Sequence, residues 1–402
     1  MQLINIQFAS YKRFANLDEL ELAPITVLVG KNSSGKSSIL KLFPLLENSF
    51  SVLPKKSVLK YENNGVTLGS SFSDIAHNGN SVDLTFGVAF ESGLSIRVVL
   101  MSQNQDNDAL ISKYTVGYRQ KEWNLVIQKK GESYSYRCVE TGKEYPLDSF
   151  SGFVNKELLE DINCPANLYN GVINVDYIGP VRQAPRRVYT YKGLETDSRI
   201  GIDGFAAYDM LYESKELQQT VSNWYQQNFE GTALKVKSID RGSYQLKLQK
   251  NSAMAAEVNL ADEGQGMSQV LPIVVRSLKK DSAPTIIVVE QPELHLHPAA
   301  HENLAKLFAN TAKDLNHSYL IETHSENILL GIRDAVVDED NPLEAKDVLI
   351  YFVDEDENKD AYLQKITIDN QGNMSDWPSG VFNESYEILK SIKEKASKKE
   401  ES

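Results

Sequence analysis

Residues 30–38 read GKNSSGKSS and fit the pattern GxxxxGK[ST] of a phosphate-binding loop. The preceding run PITVLVG is apolar and predicts a strand, and the following run SSILKLFPLL predicts a helix that bends or ends near Pro44. In this context the loop amides and the helix N-terminus can surround a triphosphate. The pattern predicts that Lys36 contacts the β- and γ-phosphates and that the hydroxyl of Ser37 binds Mg²⁺. A Gly/Ser loop without a ligand is the alternative, and the flanking strand and helix argue against it.

A second apolar run, at residues 285–290, reads TIIVVE and ends in a carboxylate. A phosphate loop of this kind works with an acidic residue at the end of a neighbouring strand, which holds the magnesium ion. We therefore expect this strand to lie beside the strand of the phosphate loop, with Glu290 facing Mg²⁺. The next letters, QPELHLHP, place a glutamine, a glutamate and two histidines in the turn that follows.

The composition limits the classes of protein to which the chain can belong. Its 402 residues, 41% of them hydrophobic, are enough for a sizeable core in one large domain with an insertion or in two smaller domains. The net charge of −13 argues against a basic surface, although a local basic groove for nucleic acid is compatible with it. Cys138 and Cys164 lie far apart, which suits a reducing compartment. The N-terminus lacks a secretory pattern and no run of 18 apolar residues occurs, so we expect a cytoplasmic protein without a membrane span.

The pattern along the chain predicts an α/β fold with five segments. Short alternating runs separated by Gly, Asn and Asp predict an antiparallel β subdomain, and the run FAAYDMLYESKELQQTVSNWYQQNF predicts helix within an insertion. The expected segments are a first lobe at 1–80, the β subdomain at 81–146, a mainly helical insertion at 147–232, a second lobe at 233–340, and a short C-terminal domain with a charged tail at 341–402.

Several motifs together resemble the ABC-type ATPases of the SMC and overcoming-lysogenization-defect (OLD) class. Asn32 within GxNxxGKS resembles their Walker A loop, and VEQPELHLHP resembles their Walker B motif and D-loop. LADEGQGMSQVLP resembles a degenerate signature motif, and IETHSEN resembles the switch segment. SYKRF, residues 10–14, resembles an N-terminal turn whose basic residue touches the nucleotide. The motifs stand near both ends of the chain in the order of the class, whereas residues 50–250 match only loosely.

The resemblance implies an ABC-type P-loop ATPase head that binds ATP and Mg²⁺. It also implies a homodimer, compatible with higher oligomers, in which each signature meets the γ-phosphate of ATP held by the other subunit. Lys12 is the better match to the basic residue of the N-terminal turn, and Arg13 is the second. The residues implied to bind nucleotide are Lys12, Arg13, Gly30, Asn32, Ser33, Ser34, Gly35, Lys36, Ser37 and Ser38, together with Asp262, Gly264, Gln265, Gly266 and Ser268 of the signature. The residues implied to act in catalysis are Glu290, Gln291, Glu293 and His324, the last as a γ-phosphate sensor, and those implied to bind the metal are Ser37 and Glu290.

Two further stretches narrow the resemblance. YIGPVRQAPRR, residues 177–187, and SDWPSGVFNES, residues 375–385, are similar to segments of small prokaryotic OLD-like ATPases that end in a short domain of unknown function. That group includes the ATPase subunits of anti-phage systems such as Septu, in which an HNH nuclease is a separate chain. After the switch segment this sequence lacks the carboxylate pattern of a Toprim-like nuclease domain. The resemblance therefore implies an ATP-gated dimeric switch, the sensor subunit of a defence system, which controls a separately encoded effector such as an HNH nuclease.

Gln291 departs from the class, in which a glutamate follows the Walker B acid and acts as general base. An amide cannot accept a proton at neutral pH, so we expect slow hydrolysis. A glutamine can still orient water, and Glu293 could act as the base if the loop curls toward the phosphate. The alternative is a site that only binds nucleotide, as in a scaffold without turnover. A DNA-repair or chromosome-maintenance clamp that binds DNA directly across the dimer groove is the other alternative.

Five of the six histidines lie within thirty residues, which raises the alternative of a zinc site. They are His295, His297, His301, His317 and His324. No cysteine lies nearby, so a D-loop that shapes the subunit contact is favoured over zinc, and His301 and His317 are expected to be ordinary surface or helix residues. Three arginines of the segment 177–187 could contact nucleotide or a partner, or could form ordinary surface pairs; they are Arg182, Arg186 and Arg187.

Overall fold

The structure is a computed structural model of the chain. It describes residues 2–50, 58–79, 83–103, 108–130, 133–169, 173–193, 199–250, 256–312, 315–341 and 343–377. The later part of SDWPSGVFNES and the charged tail, residues 378–402, lie outside the described residues. Within these ranges, no helix is long and apolar enough to cross a membrane.

The chain forms twenty-two strands and eight α-helices within the described residues. The first strands are β1 (Leu3–Ala9), β2 (Asp18–Glu21), β3 (Ile25–Gly30), β4 (Glu62–Asn63), β5 (Val66–Thr67), β6 (Leu84–Phe90), β7 (Ser95–Gln103), β8 (Asp108–Tyr118), β9 (Lys121–Lys130), β10 (Ser133–Cys138) and β11 (Glu144–Pro146). The later strands are β12 (Phe150–Ser151), β13 (Val154–Asn155), β14 (Val175–Ile178), β15 (Tyr189–Thr190), β16 (Ala233–Asp240), β17 (Ser243–Gln249), β18 (Val258–Asn259), β19 (Thr285–Glu290), β20 (His317–Glu322), β21 (Val348–Glu355) and β22 (Ala361–Thr367). The α-helices are α1 (Lys36–Ser49), α2 (Phe72–Ile75), α3 (Lys156–Asp161), α4 (Ala206–Glu213), α5 (Lys215–Asn228), α6 (Gln265–Leu278), α7 (Pro298–Thr311) and α8 (Glu326–Val337). Short 3₁₀ turns occur at His77–Gly79, Leu147–Ser149, Ala166–Leu168, Leu260–Asp262 and Ala345–Asp347.

A six-stranded sheet carries the phosphate loop near its centre. Its order is β14-β19-β20-β3-β21-β22, and its neighbouring strands are parallel except for the edge pair of β21 and β22. The apolar run of β3 is buried on both faces, as is usual for a strand of a parallel sheet. Val27 and Val29 belong to the core that includes α6, α7 and α8, whereas Leu28 belongs to the core that includes α1. The sheet therefore separates two hydrophobic cores and holds the phosphate loop between them.

A second, eight-stranded sheet contains the antiparallel strands predicted for residues 81–146. Its order is β11-β10-β9-β8-β7-β6-β1-β2. The N-terminal strand β1 pairs with β6, with Phe8 opposite Phe86, so part of the first lobe shares this sheet. Phe8 and Phe86 are buried in the same core as α1, which fixes the antiparallel sheet against the helix of the phosphate loop. The predicted α/β fold with an antiparallel sheet is confirmed.

The interval 147–232, predicted to be mainly helical, is mixed. The long run predicted as helix forms α4 and α5, which meet at Ser214, and the side chain of Ser214 caps α5 by accepting from Leu217 N–H. Before these helices, Val175–Ile178 form β14, which pairs in parallel with β19 of the central sheet. This interval thus supplies an edge strand of the sheet that carries the site, in addition to its helices.

Helix α1 does not end near Pro44 but continues to Ser49. A proline in a helix interior loses its own N–H hydrogen bond and clashes with the preceding turn. Here residues on both sides, including Phe43 and Leu46, are fully buried in the core. Tertiary packing therefore outweighs the local preference of proline.

Candidate nucleotide-binding site

The phosphate loop connects β3 to the first turn of α1, as the sequence predicts. Gly30 and Gly35 both have positive φ, of 149° and 113°. A Cβ atom on Gly30 would lie 2.4 Å from the carbonyl oxygen of Val353, and one on Gly35 would lie 3.1 Å from the ring of Phe14. The positive φ favours glycine at both positions, and at Gly30 the backbone of Val353 also leaves no space for a side chain.

Lys36 curls back over the loop that precedes it. Its side chain is almost fully buried, and Nζ donates to the carbonyl oxygens of Gly30 at 2.9 Å and Lys31 at 2.6 Å. Burial lowers the pKa of the Lys36 ammonium, and the carboxylate of Glu322, 4.0 Å away, opposes that shift. Ser34 is also buried, and its Oγ has no hydrogen-bond partner among the described residues. A buried ammonium and an unpaired hydroxyl at the start of a helix fit the oxygens of a bound phosphate chain.

The neighbours of the phosphate-loop strand β3 are β20 and β21, not β19. β3 pairs with β20, and β20 pairs with β19, so the expectation that TIIVVE lies beside the phosphate-loop strand is wrong. The order of strands in a sheet depends on how the crossover helices pack, which the local pattern of one strand does not specify. Glu290 and Glu322 are nonetheless register partners at the ends of two adjacent parallel strands. Both carboxylates consequently face the same edge of the sheet.

Glu322 was missed by the sequence analysis. Its Oε2 accepts a hydrogen bond of 2.9 Å from Ser37 Oγ, the hydroxyl predicted to bind Mg²⁺. The signal was present, because YLIE at the end of β20, like IVVE at the end of β19, is a short apolar run that ends in a glutamate. Glu322 is 4% exposed, and through this hydrogen bond and its register with Glu290 it forms an oxygen-rich cluster with Ser37 and Glu290.

Glu290 lies at the end of β19, one strand further from the phosphate-loop strand β3 than Glu322. It accepts a hydrogen bond from the hydroxyl of Tyr177 in β14. Burial, and then the charge of Glu322, raise the pKa of the Glu290 carboxyl to about 7. Two carboxylates and a hydroxyl at one sheet edge are hard oxygen ligands of the kind that Mg²⁺ prefers. The residues present thus fit a magnesium ion next to the phosphate loop.

The turn after Glu290 is tied to the switch segment. Gln291 has φ 45°, and its N–H donates to the Glu322 carbonyl oxygen at 2.8 Å. The carboxylate of Glu293 accepts from Thr323 Oγ1 at 2.9 Å and from the backbone N–H of His324 at 2.7 Å. The turn therefore brings Gln291 and Glu293 to the end of β20, next to the strand that leads into the phosphate loop.

His324 is partly exposed in this cluster. Its side chain is 35% exposed, and Nε2 lies 4.0 Å from Glu322 Oε1. Burial and the charge of Lys36 lower the pKa of the imidazole, while Glu322 and Glu293 oppose the shift. A neutral imidazole at this place can still donate a hydrogen bond to a phosphate oxygen.

The two basic residues of the N-terminal turn point to different places. Lys12 Nζ donates to the carbonyl oxygens of Leu68 and Asp74, at 2.6 and 2.7 Å. Arg13 instead donates through Nη1 to the carbonyl oxygen of Ser33 in the phosphate loop, and it forms a 2.7 Å ion pair with Glu355. Arg13, the second match to the basic residue of the N-terminal turn, therefore contacts the phosphate loop, whereas Lys12, the better match, is hydrogen-bonded away from it.

The signature segment lies at the start of α6. Gly264 is the N-cap residue, and Ser268 Oγ is buried and donates to the Gln265 carbonyl oxygen at 3.0 Å. Asp262 forms an exposed bidentate pair with Arg187, at 2.5 and 3.0 Å, which is the surface-pair alternative for that arginine. In the part of the chain that the structure describes, no hydrogen bond joins residues 262–268 to residues 30–38.

The signature packs instead against its own D-loop. A Cβ atom on Gly266 would lie 3.2 Å from the His295 carbonyl oxygen. A cavity of about 550 Å³ opens between these two segments and the end of α5, and its lining includes Gly264, Gly266, His295, His297 and Phe229. Both segments therefore present one common surface rather than a closed site within the chain.

The histidines do not form a metal centre among the described residues. No three or more His, Cys, Asp or Glu side chains in those ranges are grouped so that they could hold a metal ion. His297 caps α7 by accepting from the Ala299 N–H at 3.3 Å. His301 is a residue of helix α7, in agreement with the expectation of a surface or helix residue, whereas His317 begins strand β20 and is buried, which differs from it; His301 is buried as well. Each has a local partner that compensates for burial: Ser325 Oγ lies 2.7 Å from His301 Nδ1, and Asp281 Oδ2 lies 3.2 Å from His317 Nδ1.

Comparison with known proteins agrees with a nucleotide site. The family model described as AAA ATPase domain matches residues 1–165 and 206–329, and the model described as protein of unknown function (DUF3696) matches residues 343–390. No curated protein matches the chain. Among solved structures, the chain is similar to the SMC head domain from Thermotoga maritima, with 12% identity over 90% of this chain and 98% of that chain and a TM-score of 0.41. It is also similar to the Smc head domain with an extended coiled coil from Pyrococcus furiosus, with 10% identity over 98% and 99% of the two chains and a TM-score of 0.45. The chain belongs to the AAA ATPase domain family and is a P-loop ATPase that binds ATP.

Proposed function

We propose that two copies of this chain bind ATP between the phosphate loop of one and the signature of the other, and act as an ATP-gated switch. The observation that carries this proposal is the division of the motifs between two surfaces. Lys36, Ser37 and His324 gather at one sheet edge, whereas Gly264 and Gly266 line a separate open cavity with the D-loop. A signature that faces outward is available to nucleotide held by a second chain.

The nucleotide and its metal would be held by residues with matching chemistry. Loop amides, Lys36 and the Ser34 hydroxyl would bind the phosphates, and Ser37 with Glu290 and Glu322 would bind Mg²⁺. The ion, when bound, neutralises charge that develops on the phosphate oxygens. The two carboxylates are buried, so their negative charges repel each other strongly, and a bound cation would offset this repulsion.

We further propose that hydrolysis is slow and that the turn after β19 orients the attacking water. Gln291 can orient water through its amide but cannot take its proton. Glu293 is the candidate base, because its carboxylate lies at the switch segment and accepts from Thr323 and His324. His324 would donate to the γ-phosphate. Binding of ATP would then close the dimer, and hydrolysis would open it.

We propose that this switch regulates a separately encoded effector in anti-phage defence. Two features support the idea: the match of residues 343–390 to a family of unknown function behind the ATPase region, and the segment YIGPVRQAPRR. Cells that carry this gene with its neighbouring genes should form fewer plaques than cells that carry the Lys36→Ala version. Equal plaque counts would contradict the defence role but would not bear on the proposed ATP-gated dimer.

The dimer is tested by sedimentation velocity with Mg²⁺ and a non-hydrolysable ATP analogue. The parent protein should shift from monomer to dimer on addition of the analogue, since ATP is part of the interface. Lys36→Ala should remain monomeric, and Lys113→Ala, on the exposed part of β8, should behave like the parent. Equal dimerisation of the parent and Lys36→Ala would contradict the proposal.

A further inference from the structure

Arg182 is a buried cation beside the turn that ends β19. It lies in the segment GPVRQ, residues 179–183, and is only 4% exposed. The segment is held on both sides of Arg182, because the N–H groups of Gly179 and Gln183 donate to the carbonyl oxygens of residues 202 and 203, at 2.8 and 2.9 Å. The backbone position of Arg182 is therefore fixed independently of its side chain.

Arg182 connects two motifs that lie far apart in sequence. Its Nη2 donates to the carbonyl oxygens of Glu290 at 2.9 Å and Gln291 at 3.0 Å. Its own carbonyl oxygen accepts from Nε2 of Gln269, at 3.3 Å, and Gln269 lies one turn into α6 after the signature segment. A single residue thus joins the signature helix to the Walker B turn within one chain.

The turn that Arg182 holds has an uncommon conformation. Gln291 has φ 45°, a region that few non-glycine residues adopt. The Gln291 N–H donates to the Glu322 carbonyl oxygen. The Gln291 carbonyl oxygen accepts hydrogen bonds from Arg182 Nη2 and from the Leu294 N–H. These contacts fix the backbone from which the Gln291 side chain extends, so a displacement of Arg182 would displace that side chain.

The remaining donors of Arg182 argue against a role in packing alone. Nε and Nη1 are buried and have no hydrogen-bond partner among the described residues. Burial lowers the pKa of the guanidinium to about 10, and the charge of Glu293 opposes this shift. An apolar side chain would fill the same space without burying unpaired N–H groups. Packing alone therefore does not account for an arginine at this position.

We propose that Arg182 is a positioning residue that couples the signature helix to the Gln291 turn. When a second subunit engages the signature, the movement of α6 reaches Gln291 and Glu293 through Gln269 and Arg182. This inference rests on the proposed ATP-gated dimer and adds to it the route by which dimerisation sets turnover.

The test compares Arg182→Lys with the parent in three measurements: melting temperature, ATP affinity, and turnover as a function of protein concentration. Lysine keeps the charge but loses the planar fork that reaches the two carbonyls. We expect folding and ATP affinity close to those of the parent, and a kcat lower by about tenfold or more, as for a displaced catalytic group. Turnover per subunit should no longer rise when the dimer forms.

A second variant guards against the case in which Arg182→Lys does not fold. Gln269→Met removes the donor to Arg182 at similar volume, and it should also lower kcat without changing ATP affinity. Arg186→Lys is the matched control, because Arg186 is exposed, stands four residues after Arg182 and lies over the Phe205 ring. Parental kcat in Arg182→Lys or in Gln269→Met, or loss of ATP affinity in step with kcat, would overturn the coupling role. If the parent itself neither dimerises nor turns over ATP, the proposed function fails and this inference fails with it.

Discussion

Ser37 and Glu322 are joined by a hydrogen bond of 2.9 Å between Ser37 Oγ and Glu322 Oε2. The bond ties the first turn of α1 to the end of β20, and so places a carboxylate directly against the hydroxyl predicted to bind Mg²⁺. Because Glu322 is also the register partner of Glu290, the candidate metal site has two carboxylates rather than the single one that the sequence predicted.

Glu322→Gln should weaken the contribution of Mg²⁺ to ATP binding. The amide is of the same size but carries no charge, so it should be a poorer partner for the cation. We expect the gain in ATP affinity on adding Mg²⁺ to shrink by about tenfold, in line with the loss of a supporting metal ligand. Titration calorimetry with and without Mg²⁺ measures this gain. Glu326→Gln, on the exposed first turn of α8, is the control, and an undiminished Mg²⁺ effect in Glu322→Gln would argue against the two-carboxylate site.

Gln291→Glu should raise ATP turnover, and Glu293→Gln should lower it. The first change supplies a carboxylate next to the Walker B acid, and the second removes the one carboxylate that the turn already holds at the switch segment. Loss of a general base lowers rates by about 10²-fold or more. Steady-state kcat at saturating ATP distinguishes the two effects. If Glu293→Gln turned over as fast as the parent, Glu293 would not be the base.

Asp18→Asn should change how stability depends on pH. Burial raises the pKa of the Asp18 carboxyl to about 6, although Leu363 N–H donates to it. Between about pH 4, where a free aspartate titrates, and pH 6, the folded chain keeps a proton that the unfolded chain has lost. This group therefore stabilises the fold below that window, and its contribution is lost as pH rises through it.

The melting temperature of the parent relative to Asp18→Asn should consequently fall between about pH 4.5 and pH 7, the range over which Asp18 titrates in the folded chain. The asparagine cannot titrate, so the variant isolates this one group from all others that change over the same range. Parallel melting curves of the two proteins against pH would show that Asp18 is not held protonated by the fold.

Local signals in the sequence predicted the phosphate loop correctly as a strand, a glycine-containing turn and a helix. Each depends on neighbouring residues: the buried run of β3, the positive φ of Gly30 and Gly35, and the periodic apolar positions of α1. The antiparallel strands of residues 81–146 were recognisable for the same reason, since alternation is a local property.

Relations between distant segments were not predictable in this way. The insertion of β20 between β3 and β19, and the burial of Arg182, depend on how helices and loops pack across the sheet. The same holds for the finding that Arg13 rather than Lys12 contacts the loop, which depends on where the N-terminal turn lies. Glu322 is the exception, because its strand carried the same pattern as that of Glu290.

A mixture of two inactive variants tests most directly whether two chains build each ATP site. Lys36→Ala removes the phosphate contact, and Gly264→Asp places a negative charge on the signature. The aspartate should fold normally, because a Cβ atom on Gly264 meets nothing within 4 Å in its own chain. Gly264→Ala is the control for the added carbon.

ATP turnover should be near background for each variant alone. In an equal mixture, a dimer that pairs one variant with the other has one intact site, because the intact phosphate loop of one chain meets the intact signature of its partner, so turnover should rise well above that of either variant alone. Parental turnover in Gly264→Asp alone, or no recovery in the mixture although the mixed dimer forms, would contradict a site shared between two chains.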